Sequence, residues 1–354
     1  MIQSSYRLTL LAFYFALSAI AVSAQKEQPS TAGPPAASSP TASSSPVAQA
    51  QAHLSAGRVD AAISALQSIS GPASAPSQVS HLLGLAHYQK GDYARALDYL
   101  SAAIKQPAEE NLQHRQGVEL LGRAHYLLGH LKEAVPYLEQ TRKWMPDNPE
   151  IGYALGIAYI QTHNPEKSRE AFARMFRVEP GSASAHLINA QMMIRQQFEE
   201  FAEKELQKAS QLDPRLPQVN FMLGELAIYR AQIDRGIELL QKEIAVNPGF
   251  GMAYYRLGEA YTRQLKWDEA IAPLQKSIWL NPYFSGPYIV LGKIYLKQVK
   301  LGTAEDMLKR ALQMDPNNSS AHHLLAQVLQ QANRPEEARK EFEQAERLRT
   351  LSNK

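Results

Sequence analysis

Histidines and carboxylates, the side chains most often recruited for acid–base and metal chemistry, are present, and their spacing argues against each use. His81 and His87 are six residues apart, so on a helix with a 3.6-residue turn they cannot face one metal ion together. His322 and His323 are adjacent and leave a helix in different directions. The 34 Asp and Glu residues are spread along helical stretches as solvated charges, and no two are set against an apolar pocket as general acid–base work requires. The sequence holds no Gly-x-Ser-x-Gly elbow, phosphate loop, dinucleotide fingerprint or His-Glu-x-x-His helix. It has no cysteine, which removes disulfides, thiol catalysis, cysteine-ligated zinc and a lipid anchor on a processed cysteine. Asn317-Asn318-Ser319-Ser320 contains glycosylation-type triplets, but they read as turn chemistry. No catalytic, cofactor or metal site is expected.

Charge narrows the partners. With 37 basic against 34 acidic residues the formal net charge is +3, and no run of Lys or Arg forms a stripe, so nucleic acid is not an expected ligand. The N-terminus is more informative. Arg7 precedes an apolar stretch from Leu8 to Val22, and Val22-Ser23-Ala24 has the small residues of a cleavage site. Residues 1–24 therefore read as a signal peptide cut after Ala24, with export to a periplasm or beyond. The alternative is an uncleaved anchor, but about 15 apolar residues are short for roughly 30 Å of hydrocarbon. Later segments are not apolar enough to span a membrane. Residues 25–46 turn to Ala, Ser, Pro and Thr, a composition that cannot offset its ordering entropy and reads as a flexible linker.

From residue 47 to 352 the sequence repeats. Gly224, Gly258 and Gly292 follow leucines at steps of 34, Gly156 lies two such steps upstream, and Ala190 takes the place between. Twelve residues after each stands a small residue: Ser168, Ala202, Gly236, Ala270 and Ala304. Twelve further on come Pro180, Pro214, Pro248, Pro282 and Pro316. Three series in one phase mark a tandem array. Each unit holds two stretches of helical periodicity joined by a polar turn, such as 252–264 and 267–280. Small residues let the two helices approach, and proline ends the second by disfavouring a helical residue before it.

This pattern resembles the tetratricopeptide repeat. Tyr254, Leu257, Gly258, Tyr261, Ala270, Leu274 and Pro282 match its signature, as do Tyr288, Leu291, Gly292, Tyr295, Ala304, Leu308, Ala311 and Pro316. The frame gives about nine units, starting near 43, 77, 115, 149, 183, 217, 251, 285 and 319, with a four-residue insertion near Asn111–His114. The resemblance implies an all-α fold, a right-handed α-solenoid of antiparallel helix pairs. Thr141, Met175 and Glu243 replace the usual Ala at the twenty-seventh place, which suggests looser junctions there. The last unit, from Arg334 to Arg349, interleaves charges around few apolar positions, as a terminal repeat facing water must.

The same resemblance implies that first helices line a concave groove through their second, fifth, ninth and twelfth residues. The candidate partner-binding residues are then Tyr153, Ile157, Leu187, Gln191, Phe221, Glu225, Tyr255 and Glu259. From Tyr153 to Ile228 this face is mostly aromatic and aliphatic. It either packs against its neighbours or receives an amphipathic helix or extended peptide. The Lys and Asn with which some relatives grip a terminal carboxylate are absent from those places in any one unit. The implied function is an exported, non-catalytic scaffold for a protein or peptide, in an envelope or secretion assembly. A helper for envelope polysaccharide synthesis or export is the alternative, with glycan stacking on Tyr153, Phe221 and Tyr255. A transferase with accessory repeats is the weakest reading, since no non-repeat domain is visible.

Overall fold

The computed structural model describes residues 45–67, 69, 76–105 and 111–352. Residues 1–24, read from sequence as a signal peptide, and the segment read as a linker up to residue 44 lie outside them. The described residues form eighteen helices and no strand. They come in pairs: α1 (Pro46–Ser55) with α2 (Val59–Gln67), α3 (Ser77–Lys90) with α4 (Tyr93–Lys105), and α5 (Leu112–Leu127) with α6 (Leu131–Trp144). Next are α7 (Pro149–Gln161) with α8 (Pro165–Met175), α9 (Ala183–Arg195) with α10 (Glu199–Leu212), and α11 (Val219–Tyr229) with α12 (Ile233–Val246). The last are α13 (Gly251–Arg263) with α14 (Trp267–Leu280), α15 (Ser285–Lys297) with α16 (Leu301–Met314), and α17 (Ser319–Gln331) with α18 (Pro335–Ser352). Each pair packs on the next, giving an all-α solenoid. Pro46, which composition assigns to the linker, is the first residue of α1, with the Ser45 side chain capping it. Asn111 likewise caps α5, so Leu112–His114 are an extra first turn of that helix and not a loop insertion.

Within a unit the helices meet where the glycine falls. A Cβ on Gly258 would lie 2.4 Å from Leu274 Cγ, and one on Gly292 2.6 Å from Leu308 Cγ. In α7 the partner is the Phe172 ring, 2.3 Å from a Cβ on Gly156. The small residues twelve places on are buried: Ser168, Ala202, Ala270 and Ala304 are fully enclosed. First helices also touch the first helix of the next unit, α1 with α3, α3 with α5, α5 with α7, α13 with α15 and α15 with α17. That row is therefore the tighter, inner side of the stack.

The turn between the two helices is built the same way throughout. At 57, 91, 129, 163, 197, 231, 265, 299 and 333 one residue adopts positive φ, and where the pattern is complete its N–H and the next bond back to carbonyls of the first helix. His163 N–H donates to Ile160 O and Asn164 N–H to Tyr159 O, the left-handed cap that frees a chain to reverse. Gly57, Gly91 and Gly129 suit it, whereas Leu265 at φ +61° and Val299 at φ +59° do not. Both are largely exposed, so packing does not offset their strain.

Two of the three replacements at the twenty-seventh place, Glu243 and Thr141, do not loosen the stack, whereas the half-buried Met175 borders a cavity. Glu243 is fully buried and its carboxylate accepts from the N–H groups of Gln218 (2.8 Å) and Phe221 (3.3 Å), capping α11. Thr141 is also fully buried and its hydroxyl donates to Tyr137 O. In α10 a buried Glu205 joins His186 (2.9 Å) and Arg169 (3.2 Å), and Arg169 also donates to Pro180 O. This single carboxylate ties α8, α9 and α10 together. Replacing Val299 with Gly should raise stability by about 1 kcal/mol by removing the left-handed penalty, and Leu265→Gly should act likewise. Denaturant midpoints check this, and unchanged or lowered midpoints for both would show that these turns carry no strain.

Candidate partner-binding groove

The inner row presents the fifth and ninth residues of α7, α9, α11 and α13. Their apolar members do not all face outward. Ile157 is buried in the core it shares with Phe172, Met193 and Leu206, so it is packing and not groove surface, as is the fully enclosed end of α7 at Ile160. Tyr153 meets the Phe172 ring edge-on at 6.3 Å between centroids, and Leu187 packs on the same core while remaining half-buried. Two further rings are braced alike. Phe221 stands perpendicular to Phe250, and Tyr255 to Phe284, each with centroids 4.9 Å apart. Phe250 and Phe284 are 34 residues apart, just ahead of α13 and α15. That spacing was the signal that could have found them.

Apart from Ile157, the ninth residues of these units are polar and take part in bridges. Arg256 on α13 reaches Glu225 on α11 at 2.8 Å and Glu259 on its own helix at 2.7 Å. The Tyr255 hydroxyl also hydrogen-bonds Glu259, and burial first and then that carboxylate push the phenol's pKa far up. Upstream, Arg123 on α5 joins Glu119 at 2.9 Å and Glu150 of α7 at 2.7 Å. Between these two relays Gln191 Nε2 donates to Gln218 Oε1 at 3.3 Å. So Gln191 and Glu225 are held by neighbouring units and Glu259 by its own helix, and Arg256, absent from the sequence-based set, is the residue that gathers the two carboxylates. It was missed because it sits at the sixth place, which the repeat frame does not assign to the groove.

Among the described residues no group of three His, Asp or Glu side chains is arranged to hold a metal ion, and no helix is long and apolar enough to cross a membrane. Tetratricopeptide repeat models match residues 47–108, 81–148 and 221–283 in one form and 125–192 and 295–349 in another. The chain belongs to the tetratricopeptide repeat family. Comparison with curated proteins finds no match. Solved structures similar to this chain are themselves tetratricopeptide-like. A crystal structure of MamA is 21% identical over 46% of this chain and 96% of its own, with a TM-score of 0.43. MamA from Desulfovibrio magneticus RS-1 is 19% identical over 49% and 97%, with a TM-score of 0.45. YrrB, described as a TPR protein with an unusual peptide-binding site, is 17% identical over 51% and 93%, with a TM-score of 0.45.

In this tetratricopeptide array the relay on α11 and α13 has a pH signature. Burial lifts the pKa of Glu225 above the ordinary carboxylate value, Arg256 opposes the shift, and the like charge of Glu259 adds to it. The folded chain therefore holds that proton more tightly than the unfolded chain. Its stabilising effect is complete below the ordinary carboxylate pKa and is lost as pH rises through the raised value. Glu225→Gln removes this loss. Relative to the parent, the variant should gain stability as pH rises above the ordinary carboxylate range, measured as the difference in urea midpoints. A constant difference would mean that the carboxylate is solvated.

Proposed function

We propose that this chain is an exported, non-catalytic scaffold that holds a protein or peptide segment along its inner helix row. The observation that carries the reading is the set of half-buried rings at Tyr153, Phe221 and Tyr255, each braced by a second ring. A ring held in place loses little freedom when a partner docks, so its apolar area contributes to binding instead of being offset by ordering. Leu187 adds to the apolar side, and the Gln191–Gln218 and Glu225–Arg256–Glu259 bridges fix where a partner's polar groups can be met. The occupant that suits such a surface is an amphipathic helix or an extended apolar segment with a basic flank near Glu225 and Glu259. Export rests on the reading of residues 1–24, and an envelope or secretion assembly is the setting it suggests.

Two measurements test the proposal. Photocrosslinkers placed at 153, 221 and 255 in cells should trap one discrete protein, while probes at the exposed Glu238 and Lys242 of α12 should not. Adducts from α12 alone would move the partner surface off the inner row. Sequencing the N-terminus of the protein recovered from cells should give Gln25, and a chain still beginning at Met1 in the cytoplasm would refute export.

A further inference from the structure

A cavity of about 300 Å³ opens where α6, α7 and α8 converge, and it shares no lining residue with the proposed groove. At the fourth place of the first helix three other units carry a large polar residue, His186, Tyr288 or His322, that bonds across the corresponding region. Tyr288 donates its hydroxyl to Pro282 O at 3.2 Å. His322 reaches Pro316 O at 3.0 Å through Nε2 and Glu341 at 2.5 Å through Nδ1. His186 pairs with Glu205 in the same register. In α7 this place is Gly152, and the place of Glu205 and Glu341 is taken by Ala171. Neither the filler nor its carboxylate is present, and both small residues line the cavity.

What surrounds the gap is basic. Arg142 from α6, Arg174 from α8 and Arg177 beyond it line the cavity, against the single carboxylate of Asp147. None of the three guanidiniums has a salt bridge to a carboxylate among the described residues, whereas Arg169, beside the equivalent filled site, binds Glu205. Arg177 is held at φ +56° to lie there. Pro146, Pro149 and Met175 supply apolar walls. The N–H groups at the start of α7 are already taken, since Asn148 Oδ1 accepts from Glu150 and Ile151, so the anion preference comes from the arginines. A second cavity sharing Arg142 supplies its own carboxylates: Glu139 there accepts from Lys167 and from Tyr159. The first cavity supplies only Asp147, at its rim.

We propose that this cavity receives a carboxylate of a partner peptide, occupying from outside the place that Glu205 and Glu341 occupy in other units. Planar guanidiniums match a carboxylate in paired hydrogen bonds, and the apolar walls suit an aliphatic neighbour on the same peptide. The volume is at the lower end for a binding site and fits one acidic side chain or chain end. This second point of attachment shares no residue with the groove and does not depend on it.

The test uses the full chain and the blocked peptide acetyl-Leu-Glu-Leu-amide, with amide NMR shifts as the readout. Binding should move the Gly152 and Arg177 amides. The acetyl-Leu-Gln-Leu-amide twin should bind at least roughly tenfold more weakly. The Gln peptide with a free C-terminus distinguishes a chain-end carboxylate from a side chain, and shifts with either carboxylate support the site. Gly152→His combined with Ala171→Glu rebuilds the filled arrangement of the other units and should abolish binding. A Cβ at Gly152 meets Met175 and the Ala171 carbonyl only at ordinary contact distances of 3.5 to 3.9 Å, so the histidine has room. Arg142→Gln with Arg174→Gln, at a half-buried and an exposed position that make no salt bridge among the described residues, should weaken binding at least roughly tenfold with an unchanged melting temperature. Equal binding of the Glu and blocked Gln peptides would overturn the proposal. So would an undiminished affinity in the arginine variant, or shifts with inorganic phosphate and none with either carboxylate peptide.

Discussion

Everything in the stack depends on how near the two helices of a unit can come at the eighth place of the first. The glycines at 84, 122, 258 and 292 bring a backbone against a leucine of the second helix, at distances no Cβ could tolerate without movement. Where the second helix carries Phe172 the aromatic ring occupies the space over Gly156, and where the first carries Ala190 or Ala326 the extra methyl is buried without remainder. Close approach fixes the pair, and the pair buries one apolar face that only the next pair can cover. The inner row, the outer face and both edges follow from repeating that one contact.

Once the spacing is fixed, departures from the repeat become local solutions. A carboxylate at the twenty-seventh place would be costly if it were merely buried. Glu243 instead satisfies two N–H groups at the start of α11, where Gln218 turns through positive φ. Glu205 does the same work between three helices by joining Arg169 and His186. A network of this kind specifies register, because sliding one unit on the next would strand a buried charge. The polar residues therefore sharpen junctions that the apolar pattern alone would leave adjustable.

The helix pairs were legible because close contact restricts residue type at fixed spacing: Gly258, Ala270 and Pro282 each have a steric reason to be where they are. The left-handed turn residue was not, because His163, Leu265 and Val299 share no chemistry, and only hydrogen bonding shows their common role. Of the groove residues, sequence could place Ile157 on a helix face but could not say whether that face is open, since isoleucine serves a core as well as a surface. Arg256 escaped notice because its importance lies in two partners on different helices. Glu243 was misjudged as a weak junction because a sequence shows the charge and not the two N–H groups that meet it. Pro46 and Leu112–His114 were set outside helices on composition and spacing, yet Ser45 and Asn111 cap helices that include them.

Gly152 shows how the same residue type can serve opposite ends. At the eighth place a glycine closes a gap, because a helix packs directly onto it. At the fourth place, where other units insert His or Tyr, a glycine opens one. The repeat fixes where a side chain would go, and the omission of that side chain, together with its carboxylate partner, leaves Arg142, Arg174 and Arg177 around a space of defined size. A tandem array thus has two routes to a distinct surface. One varies the exposed residues of the inner row while the scaffold stays filled. The other leaves a small residue where units such as those of His186 and His322 place a large polar one, and the packed helices on either side hold the opening in shape.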